Sequence, residues 1–428
     1  MYLISIDGKT SMSFFLMLIL VPIGYAVDSV YGQDSFSGSQ PIINDPSLKA
    51  DLVFQGLRNP TSMAFLGPND VLVLEKDQGT VQRIVNGSML PQPALHVTVA
   101  TEGERGMLGI AIAKHTATNG TTAKFVYLYY TNGGSHLGNH VYQYELVGNK
   151  LINPKLILNL LASPGPIHDG GKVNIGPDKN VYVVIGDLRN HRTQSQNIAS
   201  GGPPDLTSGI IRVTQDGKPV LNGPLGNLYP LNLYYAYGIR NSFGMDFDPV
   251  TGKLWDTENG PNYGDEINLV EPGFNSGWAQ VQGIWTPKGE IENENAGPLN
   301  LHPSNLVDFD GKGKYRAPEF IWFQTVAPTA LKFLDSAKLG KQYQNEMFVG
   351  DYNNGNLYHF KLNQNRTALV LGSTLANKIA YTTEDTKPLI FGTGFDGGIT
   401  DLQVGPDGYL YVLTFAGEIY RIAPVTSG

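Results

Sequence analysis

The chain has 428 residues, 41% of them hydrophobic and 16% charged, with 51 glycines, a net charge of −8 and no cysteine. That balance excludes disulfide scaffolds, thiolate nucleophiles and cysteine-ligated zinc, and the acid excess, with no Lys/Arg run longer than two residues, argues against nucleic acid as a partner. Many glycines with few charges imply tight turns and few solvent-facing helices, which predicts an all-β chain.

At the N-terminus, Lys9 precedes an apolar run from Phe14 to Ile23, followed by the small residues Gly24 and Ala26. The run is short for a bilayer span and resembles a signal-peptide core. Residues 1–32 are therefore expected to be a signal peptide or N-terminal anchor, and the protein secreted or extracytoplasmic. If retained, residues 13–27 would give it weak membrane association. The sequons at Asn86, Asn119 and Asn365 agree with export. Residues 33–50, rich in Ser, Gly and Asp, read as a flexible lead-in, and the fold is expected over 51–424.

From there one phrase recurs: a Gly/Asn/Asp turn, a short β-rich strand, a second turn and a second strand. The clearest copies are GPNDVLVLEKDQGTVQRI from Gly67, GPDKNVYVVIGD from Gly176 and GPDGYLYVLTFAGEIYRI from Gly405. Weaker ones are AKFVYLYYTNGGSHLGNHVYQYEL, DPVTGKLWDTENG and NEMFVGDYNNGNLYHFKL. Strand pairs joined by such turns are hairpin signals, and their repetition predicts a single β-propeller domain of six blades. Residues 283–317 are expected to form long loops on one face.

Loops of different blades converge at the mouth of a propeller, so four polar-rich segments are candidates for one site. EGERGMLGIAIAKH, from Glu102, offers Glu104 ahead of an apolar strand. PIHDGGK carries His168, and a neutral imidazole is the default general base near pH 7. YAYGIRNSFGMDFDP sets Arg240 and Asn241 among aromatic and apolar residues, where a fixed guanidinium can steady negative charge on a ligand oxygen. DTENGPNYGDEINLVEPGFNSGW brings Asp256, Glu258, Asp265 and Glu266 into an oxygen-rich irregular stretch of the kind Ca²⁺ favours, although it fits no EF-hand. Each segment alone also suits an ordinary turn.

In chain order, ERGMLGIA, HDGGKVNIGPDKNVYVVIGD, GIRNSFGMDF, ENGPNYGDEINLV, GFNSGW, TVAPTAL and GPDGYLYVL resemble the glucose/sorbosone dehydrogenase family of soluble quinoprotein aldose dehydrogenases. The resemblance implies pyrroloquinoline quinone (PQQ) over the propeller axis, with Ca²⁺ bridging quinone and protein. It implies oxidation of an aldose at C1 to the lactone, with His168 as base and Arg240 beside the reacting carbonyl. Asn241 would be its polar neighbour, Asn259 would bind the cofactor just before Gly260, and Glu104 stands where many members have a glutamine contacting the cofactor. Gly260 and Pro261 match the residues whose carbonyls ligate Ca²⁺, with Asp265 and Glu266 close by. Phe323, at a position often held by tryptophan, and Trp278 would face the sugar. Lys172 stands where arginine is usual. Asn353, Gly398 and Thr400 occupy the positions at which sugar-oxidising members hold the quinone carboxylates with a lysine and two arginines. No haem-attachment motif is present, so electrons would pass to an external acceptor. Two other readings stay open: a non-catalytic extracellular propeller binding a sugar or protein partner, and a Ca²⁺-dependent lactonase.

Overall fold

A computed structural model describes residues 40–116, 122–189, 191–285 and 302–425. The expected signal segment, Asn119 and residues 286–301 of the 283–317 loop lie outside them. Among the described residues, no helix is long and apolar enough to cross a membrane.

The strands fall into six sheets, each containing one copy of the repeated phrase. Their innermost strands are Pro60–Gly67, Met107–Thr116, Val173–Ile175, Gly244–Phe247, Pro328–Phe333 and Ile399–Val404. Each packs on the next, and the last packs on the first, closing a ring around an axis. This is an all-β propeller arrangement. The turn chemistry that repeats in sequence repeats in space. Asp178 and Asp407 accept the backbone N–H two residues on, at 3.1 and 3.2 Å. Their second oxygens accept the hydroxyls of Tyr182 and Tyr411 at 3.0 and 2.8 Å, tying each turn to the strand behind it.

The expectation of six blades needs correction to five complete ones. Five sheets hold a complete antiparallel meander of at least four strands, whereas the sheet starting at Pro60 has three full strands. Its outer position is divided between Ser88–Met89 and Leu95–His96. Pro91 and Pro93 lie between those fragments and have no N–H to donate, so a continuous ladder cannot form there.

The lead-in is also corrected, because residues 42–55 belong to the fold. Ile42–Ile43 pairs with Ile390–Thr393. Leu48–Gln55 runs antiparallel to Glu418–Pro424, from Leu48 opposite Pro424 to Gln55 opposite Glu418. The start of the fold thus supplies the outer strand of the last sheet, and the alternation that buries Leu48 and Ala50 holds it there.

Neighbouring sheets meet through apolar seams. Tyr127, Tyr129, Val183, Ile211, Tyr234 and Tyr237 fill the one between the second and third sheets. Each such side chain contributes roughly 1.5–3 kcal/mol on burial. One seam holds a histidine: the His359 ring lies 5.1 Å from Phe348 and 5.0 Å from Tyr343, and its Nε2 is buried without a partner. Burial, aided by the Lys361 charge, pushes His359 down to about 4. The unfolded chain takes up a proton near the ordinary value of about 6.5, and the folded chain does so only at the lower value. Stability attributable to this group is therefore complete above about 6.5 and falls as pH drops toward 4, by up to about 3 kcal/mol. His359→Phe is expected to flatten that part of the pH–stability curve, as measured by urea unfolding at several pH values; an unchanged slope would contradict the assignment.

Candidate active site

The candidate residues sit on loops that enter innermost strands or leave second strands, which places them at one end of the ring. His168 lies just before Val173–Ile175, and Asp187 just after Val181–Ile185. Arg240 and Asn241 lie between Tyr234–Tyr237 and Gly244–Phe247, and Asn259, Gly260 and Pro261 follow Leu254–Glu258.

Asp187 joins the parts. Its Oδ1 meets His168 Nδ1 at 2.5 Å, its Oδ2 accepts the Trp278 indole N–H at 2.7 Å, and its backbone N–H donates to the Arg240 carbonyl at 2.9 Å. Gly186 makes the approach feasible, since a Cβ there would collide with the carbonyl oxygens of both His168 and Arg240. Burial raises the Asp187 carboxyl, but the hydrogen bond and charge of His168, the Trp278 N–H and the Arg240 charge outweigh it and hold the group below the usual aspartate range. An ionised Asp187 accepts the Nδ1 proton, which leaves Nε2 as the basic nitrogen of a neutral imidazole. Among the described residues, Nε2 has no protein partner.

Glu104 and Asn241 fix the loop bearing His168. Glu104 Oε2 accepts the His168 backbone N–H at 2.7 Å and the Asn241 amide at 3.0 Å, and Asn241 Oδ1 accepts Gly170 N–H at 3.2 Å. Arg240 donates to the Asn259 carbonyl at 2.9 Å and stacks on Trp278, 5.4 Å from the ring centroid. Burial lowers its affinity for its proton, and the charges of Asp187 and Glu104 counter this. Among the described residues, Arg240 Nε and Asn259 Oδ1 are buried with no protein partner. Buried polar atoms rarely stay unsatisfied, so this pair is suited to a polar ligand.

Beside them is a cavity of about 390 Å³, lined among others by Glu104, Lys172, Asn259 and Thr400, with apolar walls from Leu108, Phe243, Tyr352 and Phe415. Lys172 donates to the fully buried Asp401 at 2.6 Å.

Other candidates are placed differently. Asp265 Oδ1 accepts Gly260 N–H at 2.8 Å, and its Oδ2 accepts the N–H groups of Val326 and Ala327 at 2.7 and 2.8 Å. Glu266, on the opposite face of the strand, accepts from Gln282 at 2.9 Å and from Gly283 N–H at 2.6 Å. Both carboxylates are therefore committed to holding loops, and burial pushes Asp265 up to about 6. Among the described residues, no group of three or more His, Asp or Glu side chains is arranged to hold a metal. The carbonyls of Gly260 and Pro261 accept no hydrogen bond among these residues. Asn353 is exposed and donates to the Thr325 carbonyl at 3.3 Å. Phe323 packs between Tyr263 and Tyr381, at 6.1 and 5.9 Å, outside the cavity lining. Trp278 is buried, and its N–H is committed to Asp187. Sequence reasoning missed the role of Asp187, although an acid directly after a strand and a glycine, VVIGD, was a readable signal.

The glucose/sorbosone dehydrogenase family model matches residues 57–421. The chain belongs to that family. Membership places it among sugar dehydrogenases, which are oxidoreductases. Among its relatives in this family, the aldose sugar dehydrogenase YliI of Escherichia coli is 25% identical over 395 residues, which cover 88% of this chain and 93% of that one. The fold is shared with the soluble aldose sugar dehydrogenase of Escherichia coli in its apo form, at a TM-score of 0.69, with 22% identity, 88% of this chain and all of that one (100%). It is also shared with the PQQ-bound aldose sugar dehydrogenase of Streptomyces coelicolor, at a TM-score of 0.64, with 22% identity, 89% of this chain and 98% of that one.

Proposed function

We propose that this protein is an exported, PQQ- and Ca²⁺-dependent dehydrogenase that oxidises an aldose at C1 to the lactone, on a propeller in which the sheet starting at Pro60 acts as the sixth blade. The observation that carries the reading is the Asp187–His168 pair together with Arg240 Nε and Asn259 Oδ1, which lack partners among the described residues, next to a cavity that Asn259 helps to line. The chemistry a bound quinone would supply is a hydride acceptor for C1. His168 Nε2 takes the proton of the anomeric hydroxyl, so C1 loses one hydride and one proton and becomes the carbonyl carbon of the lactone. Asp187 orients the ring and steadies the positive charge it acquires. Arg240 and a Ca²⁺ held by the carbonyls of Gly260 and Pro261 would stabilise negative charge on the quinone oxygen. An external acceptor would have to take up the two electrons.

The donor set fits the quinone's reactive end: a guanidinium and an amide with free polar atoms, two unbonded carbonyls and an apolar cavity. Reconstitution of the purified protein with PQQ and Ca²⁺ is expected to give aldose-dependent dye reduction that is lost on chelation and regained with Ca²⁺. Absence of PQQ binding would move the reading to a binding propeller, and lactone hydrolysis with Ca²⁺ alone would move it to a lactonase.

A further inference from the structure

The cavity raises a problem of charge. PQQ carries three carboxylates, and the positions expected to neutralise them are Asn353, Gly398 and Thr400, all uncharged. Among the described residues lining the cavity, the cations are Lys172 and one that no motif points to, Lys76.

Lys76 directly follows the strand Asp70–Glu75 in the sheet next, around the ring, to the one bearing Thr400. Its placement is built. Met107 N–H donates to its carbonyl at 2.9 Å, and Gly106, at φ +152°, leaves the space through which its stem passes. A Cβ on residue 106 would come within 2.5 Å of Lys76 Cγ and 2.8 Å of its carbonyl oxygen. Gly106 belongs to the ERGMLG segment, so that motif shapes the path of a cation from a different loop.

The two lysines differ in how their charge is balanced. Asp401, 0% exposed, faces Lys172 and also accepts from Ser62 and Met63, so that ion pair is internal and complete. The ammonium of Lys76 donates to Asp77 at 2.8 Å, a carboxylate with 32% of its side chain exposed and also bonded to Asn59. Solvent screens that pair, which leaves Lys76 with charge and donors to offer a ligand.

We propose that Lys76 holds a carboxylate of the bound quinone, and that cationic anchorage has thereby moved one sheet around the ring from the positions of Gly398 and Thr400. This rests on the reading of the cavity as the quinone site. The test is a titration of the full-length protein with PQQ and, separately, with its uncharged trimethyl ester, at fixed Ca²⁺, followed by tryptophan fluorescence. Lys76→Gln is expected to weaken PQQ binding by about 10- to 100-fold and to leave ester binding unchanged, with Lys76→Arg restoring most of the PQQ affinity. Gly106→Ala, by displacing the Lys76 stem, should weaken the acid more than the ester. Equal PQQ affinity in Lys76→Gln and the parent overturns the proposal while the quinone reading stands, and parallel loss of acid and ester binding overturns it in favour of a structural role. A parent protein that binds neither compound overturns the quinone reading together with it.

Discussion

His168→Ala is expected to lower kcat for aldose oxidation by about 10²–10⁴-fold while PQQ affinity stays within a few-fold of the parent. The imidazole has Nδ1 committed to Asp187 and Nε2 without a protein partner, so the substitution removes the proton acceptor and no neighbouring side chain is placed to substitute for it. Glu104 is engaged with the His168 backbone N–H and the Asn241 amide, contacts that alanine preserves. His168→Gln keeps a polar side chain of similar length and should be equally slow, which separates lost chemistry from lost packing. Steady-state dye reduction alongside PQQ titration reads both quantities. A kcat within tenfold of the parent would remove His168 from the role of base.

Asp187→Asn should be nearly as damaging, with a kcat loss of about 10³–10⁴-fold and little change in KM. The carboxylate is acceptor-only and serves three donors: His168 Nδ1, the Trp278 indole and the Arg189 backbone N–H. An asparagine has a single acceptor oxygen. If that oxygen keeps Trp278, the amide N–H₂ takes the place of Oδ1 and faces both His168 Nδ1 and the Arg189 N–H; the ring proton then moves to Nε2, which cannot accept one, and the Arg189 N–H loses its acceptor. The pH dependence carries a sign. The Asp187 carboxyl lies below its ordinary range when folded, so the stability it contributes is present above the ordinary aspartate value of about 3.9. That stability is lost as pH falls through the lower folded value. Asp187→Asn should therefore be less stable than the parent at neutral pH, with the gap closing in acid. A gap that persists unchanged at low pH would mean that the carboxylate's charge is not what matters.

Local chemistry explains why some features were legible and others were not. The GPD turns announce themselves because the aspartate, its own following N–H and a tyrosine four residues on are neighbours in the chain. The HDGGK and GIRN loops stand out only for carrying an imidazole and a guanidinium among ordinary turn residues. The truncated outer edge of the sheet starting at Pro60 was readable from Pro91 and Pro93, had their missing donors been weighed against strand propensity. Pairing of Leu48–Gln55 with the far end of the chain was not, since nothing near Leu48 names Glu418–Pro424 as its partner. The acids of GDEINLV show the opposite failure. An oxygen-rich stretch reads as a cation site until backbone N–H groups from Gly260, Val326 and Gly283 are found on those oxygens.

Residue order alone determined the all-β repeat, the likeness to a family of sugar dehydrogenases and the positions of an imidazole and a guanidinium on loops. Closure of the ring decided which of these meet. Lys172 and Asp401 are 229 residues apart and share a proton donor–acceptor pair, while Glu104 reaches Asn241 across 137. Contacts at such separations come from stacking sheets around an axis, and no local pattern of side chains encodes them. For that reason Asp187 and Lys76, inconspicuous in their own segments, become the partner of the base and the cation of the cavity only once the propeller is formed.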